Sequence, residues 1–204
     1  MTDLVLVRHG ETVWHTEGRY AGSSDIELSA RGREQAERLG RWARRAGLAA
    51  LWASPLRRTQ ATAAPVAAAT GLSPRTDERL REVDFGRAEG RTLAEMEAAF
   101  PDELHAFFQD PVASHLPGGE DPRTAADRAV ECLAEIAATH DGDRVLVVLH
   151  TTLIRLALCR LLGLALRDYR QLFPVVRNGA VNEIRLDGGT FSLLTFNAMP
   201  DRTE

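Results

Sequence analysis

The chain has 204 residues, 44% of them hydrophobic and 26% charged, and a formal net charge of -4. That length and balance fit one soluble globular domain spanning residues 1–204, and the acidic charge argues against bulk binding to nucleic acid or an anionic membrane. All 25 basic residues are arginine, which excludes a Walker-type phosphate loop, a kinase strand lysine and Schiff-base chemistry.

The chain opens on a continuous apolar run, residues 4–7, that stops at Arg8-His9-Gly10. Such a run predicts a strand buried on both faces. Ligands of open α/β sheets bind beyond the carboxyl ends of the strands, so Arg8 and His9 are expected where a small anion would sit. The start lacks a basic region followed by a long apolar one, which predicts a cytoplasmic protein without a signal peptide. Residues 10–28, rich in Gly, Ser, Thr and Asp, predict a long functional loop. Ser29 then offers an N-cap to a helix carrying Ala36, Leu39, Ala43 and Ala46 on one face, with Gly47 as its stop. A second buried strand is expected over 48–53. It runs into Ser54-Pro55-Leu56-Arg57-Arg58-Thr59, where Pro55 suits the first turn of an alanine-rich helix reaching about residue 70.

Between 73 and 122 the pattern breaks into short pieces, with short helices expected over 92–99 and 102–109. We read about 78–122 as an insertion folded over the strand ends, a lid. Its Phe85, Met96, Phe100, Leu104, Phe107 and Phe108 are candidates either to line a pocket or to anchor the lid. A long helix follows with Ala126, Ala129, Val130, Leu133, Ile136 and Ala137 on one face, ending near Gly142. A strand at 145–149 runs straight into His150, a helix covers 152–163, and segments 181–187 and 190–196 form an antiparallel hairpin through Gly188-Gly189. The stretch 153–166 is too short to span a bilayer and is interrupted by Arg155 and Arg160. Cys132 and Cys159 read as reduced core residues. His105, His115 and His140 lack companion ligands and read as solvated, so no metal site is expected. The arginines of residues 31–45 read as a solvated helix face.

Strands alternating with helices predict an α/β fold, and three of the strands deliver arginine or histidine to one sheet edge. There Arg8, His9, Arg57 and His150 would offer guanidinium and imidazole donors to a phosphate dianion. A carboxylate, Glu82, lies on the segment placed above them.

These pieces together resemble the histidine phosphatase superfamily, the phosphoglycerate mutase-like fold, on its small phosphatase branch. The resemblance is carried by Arg8-His9-Gly10-Glu11-Thr12, Gly18-Arg19-Tyr20-Ala21-Gly22, Ser54-Pro55-Leu56-Arg57 with Thr59, Leu80-Arg81-Glu82, Glu89-Gly90, Gly118-Gly119-Glu120 and the strand ending in His150. It implies a three-layer sandwich: a mostly parallel central sheet with helices on both faces, plus the lid insertion. It implies a phosphatase that hydrolyses a small phosphomonoester through a phosphohistidine, without cofactor or metal, as a monomer or homodimer. His9 would be the nucleophile, Arg8, Arg57 and His150 would hold the phosphoryl oxygens, and Glu82 would be the acid and base. His15, Arg19, Ala21, Gly22 and Thr151 would bind substrate. The chain departs from the family pattern at His15, usually asparagine, at Thr151-Thr152, usually two glycines, at Ala88, a frequent tryptophan, and at Asp121, a serine. Two other functions stay open: a mutase that returns the phosphoryl group to a rotated substrate, and a noncatalytic phospho-ligand module. Retention of both His9 and Glu82 weighs against the latter.

Overall fold

The computed structural model describes residues 1–200. Its elements in chain order are β1 (Thr2–Arg8), α1 (Val13–Glu17), α2 (Ala30–Ala43), β2 (Ala50–Ala53), α3 (Arg57–Thr70), β3 (Arg75–Thr76), α4 (Leu93–Ala99), α5 (Pro101–Gln109), α6 (Pro122–Thr139), β4 (Arg144–Leu149), α7 (Thr151–Leu161), α8 (Tyr169–Leu172), β5 (Val181–Asp187) and β6 (Thr190–Ala198). The strands form one sheet in the order β3-β2-β4-β1-β5-β6. The first four are parallel, and β5 and β6 close the sheet antiparallel, which matches the mostly parallel sheet and the hairpin expected.

Alternation along β1 explains the three layers. Leu4 and Leu6 face a core built with α6 and α7, while Val5 and Val7 face one built with α2 and α3. All four are fully buried; each such side chain contributes about 1.5–3 kcal/mol relative to exposure. The helix starts follow from local chemistry: Ser29 accepts the Gly32 N–H at 3.0 Å and Asp121 that of Arg123 at 2.8 Å. Pro55 lies one residue before the Leu56 N-cap of α3 rather than inside its first turn. Cys132 and Cys159 are both buried with free thiols.

The segment 78–122 builds a small core of its own from Ala88, Met96, Phe100, Leu104, Phe107 and Leu116. Four of the six apolar residues considered for a pocket wall are therefore anchors, and Phe108 is exposed. The segment pairs with the loop after β1 through Tyr20 N–H to Arg91 O and Gly90 N–H to Tyr20 O. Arg128 of α6 holds its entry, donating to the carbonyls of Arg79, Arg81 and Glu82 and to the Glu120 carboxylate. Among the described residues, no helix is long and apolar enough to cross a membrane.

Candidate active site

Strand register assembles the site. Arg8 pairs with Leu149 across β1 and β4, so the next residues, His9 and His150, emerge side by side with ring centroids 5.1 Å apart. Ala53 pairs with Val148, which sets Ser54 beside them. The His9 backbone is pinned: its N–H donates to Leu149 O at 3.0 Å and its carbonyl accepts from Asn178 Nδ2 at 2.8 Å. A Cβ on Gly10 would collide with the Gly32 carbonyl, so glycine lets this loop lie against α2.

Hydrogen bonding fixes the state of His9. Its Nδ1 lies 2.7 Å from the Gly10 carbonyl. A carbonyl only accepts, so Nδ1 carries the ring proton and Nε2 keeps its lone pair. Burial, and then the Arg58 and Arg8 guanidiniums, hold its pKa well below the ordinary imidazole value. His9 is thus a neutral imidazole with a free nucleophilic nitrogen.

His150 is fully buried behind it. Its Nδ1 accepts from Arg58 Nε at 3.2 Å, which leaves Nε2–H to donate to Ser54 Oγ at 2.9 Å. Burial first, then Arg58, keep this ring neutral too.

The arginine that enters the site from α3 is Arg58, and this corrects the expectation for Arg57. Arg57 opens the helix on its outer side, 69% exposed and paired with Asp25 and Glu27. Arg58 is fully buried and donates to the carbonyls of Ser24 at 2.6 Å and Gly22 at 2.7 Å. The reason is helical phase. Residues 58, 62 and 66 recur every four positions on the buried face of α3, with Thr62 receiving the Gly10 N–H at 3.0 Å.

Glu82 stands at the N-terminus of α7. Its Oε1 accepts the N–H groups of Val83 and Leu153, and Oε2 that of Thr152, all at 3.0 Å. Burial raises its pKa, while these three donors and Arg58 pull the other way. The balance leaves a carboxyl that holds a proton above the usual carboxylate range.

A cavity of about 220 Å³ opens onto these groups. Of the residues expected at the site, Arg8, His9, His15, Arg19, Ala21, Glu82 and Thr151 line it; Arg57, Gly22 and His150 do not. Gly22 belongs instead to the cavity's foundation. Its N–H donates to Glu89 Oε1 at 2.8 Å, its carbonyl receives Arg58, and a Cβ there would strike Val83 and Glu89. Arg19 reaches the wall but is held by Glu17, Glu95 and the Gly90 carbonyl.

His15 lines the cavity as a brace for Arg8. Its Nδ1 lies 2.7 Å from Thr12 Oγ1 and 3.0 Å from Thr12 N–H, and its Nε2 lies 2.5 Å from Arg8 Nη2. A guanidinium and a backbone N–H can only donate, so the ring meets a donor at each nitrogen, a setting that disfavours the imidazolium. Burial, and then Arg8, push the His15 pKa down to about 4. Arg8 also donates to Val176 O at 2.7 Å, and its own pKa is lowered to about 10 by burial. The Thr151 hydroxyl is buried without a hydrogen-bond partner.

Phe85, one of the apolar candidates for the pocket wall, lines it as well, and residues not anticipated complete it: Tyr20, Thr152, Arg155 and Arg170. Arg155 follows Thr151 by four residues on α7, a spacing that shares a helix face, so that one was readable from the sequence. Arg170, on the short α8, carried no such signal. Among the described residues, no group of three or more His, Cys, Asp or Glu side chains is placed to hold a metal ion.

The chain belongs to the histidine phosphatase superfamily, branch 1, whose family model matches residues 4–199. It is 34% identical over 169 residues to phosphoserine phosphatase 1 of Hydrogenobacter thermophilus, covering 83% of this chain and 80% of that one. It is 36% identical over 187 residues to a probable phosphoglycerate mutase, GpmB, of Salmonella paratyphi B, covering 90% and 85%. Among solved structures, Bacillus stearothermophilus YhfR superposes with a TM-score of 0.92 at 32% identity, covering 97% of this chain and 98% of that one.

Proposed function

We propose that the chain is a phosphomonoester hydrolase working through a phosphohistidine at His9. The observation that carries this reading is the His9 tautomer: Nδ1–H is fixed on the Gly10 carbonyl, so Nε2 presents its lone pair in the same cavity as the Glu82 carboxyl. In the first half-reaction Nε2 bonds to phosphorus, the ester P–O bond breaks, and the leaving oxygen takes the Glu82 proton. In the second, Glu82 takes a proton from water, the resulting hydroxide bonds to phosphorus, and the P–N bond breaks. Arg8 and Arg58 supply fixed positive charge for the phosphoryl oxygens; such donors commonly contribute about 10²-fold or more each. Arg58 retains one free N–H on each terminal nitrogen for that purpose. His150 serves by holding Arg58 and packing on His9.

In this reading the 78–122 segment is a lid that brings Glu82 to the strand ends and limits water. The substrate is a small molecule processed in the cytoplasm, with neither nucleic acid nor membrane in the reaction. A cavity of about 220 Å³ supports a compact substrate, since drug-sized ligands occupy about 300–1,000 Å³.

The test is to mix enzyme with ³²P-labelled ester and quench in alkali, where a phosphohistidine survives. Label is expected on the wild-type chain and absent from His9→Ala. Phosphate release without labelled enzyme would refute the covalent route. The GpmB likeness keeps a mutase reading in view. An assay of phosphoglycerate primed with its bisphosphate separates them: isomerisation without phosphate release would replace the hydrolase reading.

A further inference from the structure

Several arginines sit in ion pairs, Arg79, Arg81, Arg128, Arg144 and Arg185 away from the cavity and Arg19 on its wall. Two others of the wall do not. Among the described residues, Arg155 and Arg170 have no carboxylate partner. Arg155 gives one bond, Nη2 to Pro174 O at 2.6 Å, and its Nε is buried with no acceptor. Arg170 rests on the faces of Phe107 and Phe108, its guanidinium carbon 5.1 and 5.0 Å from the ring centres. The two lie close enough for like-charge repulsion to lower the Arg155 pKa, after burial as the larger cause.

Charge balance turns this into a statement about the ligand. Arg8, Arg19, Arg155 and Arg170 line the cavity and Arg58 lies behind it, whereas Glu82 is the only lining carboxyl among the described residues; Glu17 and Glu95 already offset Arg19. With Glu82 protonated for its role as acid, four positive charges face a phosphoryl group that brings two negative ones. Arg8 and Arg58 balance those. Arg155 and Arg170 remain, and unpaired cations in a partly desolvated wall are costly unless the ligand completes them.

We propose that Arg155 and Arg170 form a second anion subsite, which selects small phosphomonoesters bearing a further carboxylate or phosphate near the ester. The proposal rests on the hydrolase reading above and specifies its substrate class. Neither arginine touches the reacting atoms; both act on specificity, by charge-assisted hydrogen bonds to the part of the substrate that stays behind.

A matched series tests it: 3-phosphoglycerate, glycerol 1,3-bisphosphate and glycerol 3-phosphate differ in presenting a carboxylate, a second phosphate or a hydroxyl. Phosphate release is measured for wild type, R155Q, R170Q and the charge-retaining R155K and R170K, with p-nitrophenyl phosphate as a common reference. Wild type is expected to prefer at least one of the first two over glycerol 3-phosphate by about tenfold or more in kcat/KM, the range of a charged hydrogen bond. Each glutamine variant should collapse that preference at least tenfold, mainly through KM, and each lysine variant should restore part of it. The bisphosphate and carboxylate arms decide which anion the subsite takes. A wild-type ratio near one, equal losses on all three esters, or a preference untouched in R155Q and R170Q would overturn the subsite. Arg155 makes no stacking contact with the 78–122 segment, so R155Q carries the test even if R170Q proves unstable. If wild type releases no phosphate from any ester, p-nitrophenyl phosphate included, the hydrolase reading itself falls and the subsite with it.

Discussion

At the inner end of the cavity the polar side chains are tied down: His9 on the Gly10 carbonyl, His150 between Arg58 and Ser54, Arg58 on two loop carbonyls, Glu82 on three backbone N–H groups. At the rim, Arg155 holds one carbonyl and Arg170 leans on two aromatic rings. The contrast separates two tasks. Phosphoryl transfer gains from groups whose reorganisation is complete before substrate arrives. Selection among substrates gains from groups left incomplete, because the ligand that satisfies them binds best.

The sharpest way to break the comparison is at its rigid end. His9→Ala should lower turnover by at least about 10⁴-fold, the scale seen when a nucleophile is removed, while circular dichroism shows a folded protein. Residual activity near wild type would move the nucleophile elsewhere. Glu82→Gln should cost about 10²–10⁴-fold on alkyl phosphates, and visibly less on p-nitrophenyl phosphate, whose leaving group needs little protonation. Equal losses would deny Glu82 the acid role. Arg58→Gln should cost about 10²-fold in kcat/KM and lower thermal stability, since the Gly22 and Ser24 carbonyls lose their donor. Arg57→Gln, removing an exposed ion pair, should change activity less than about twofold. A reversed order for these neighbours would show the phase of α3 to be misassigned.

The pH dependence gives the smallest but most specific signal. Activity should fall on the alkaline side as Glu82 loses its proton, above the ordinary carboxylate range, and on the acid side as His9 gains one, below the ordinary imidazole range. Stability follows the same shifts with defined signs. The folded pKa values of His9 and His150 lie below the unfolded value of about 6.5, so their contribution is whole above that pH and is lost as pH falls through the folded values. The folded pKa of Glu82 is raised, so its contribution is whole below the unfolded carboxylate value and is lost as pH climbs through the folded one. Melting curves of His150→Asn should therefore flatten below about pH 6.5, and those of Glu82→Gln at higher pH, relative to wild type.

How much the sequence disclosed follows the same division. Residues 4–10 and 145–150 were legible because a buried parallel strand reads as an unbroken apolar run, and the polar residue ending it has one place to go. Glu82 was legible through the resemblance of Leu80-Arg81-Glu82. The choice between Arg57 and Arg58 required the phase of α3 to be traced back from Thr62 and Val66; adjacent identical residues hide a rotation of about 100°. Arg170 was beyond reach, because α8 spans only Tyr169–Leu172 and shows no period. Phe85, Phe107 and Phe108 illustrate the same limit: in the sequence an aromatic residue looks alike whether it lines a cavity, anchors a segment or cushions a guanidinium.

Glu82 occupies the N-terminal end of α7, the helix that also bears Thr151 and Arg155. Under the proposed mechanism, handing its proton to the departing alcohol would leave an anion at that helix end, where the macrodipole favours it. Burial opposes the same charge more strongly, so the fold itself would press the carboxylate to regain a proton, which is the demand the second half-reaction makes on the incoming water.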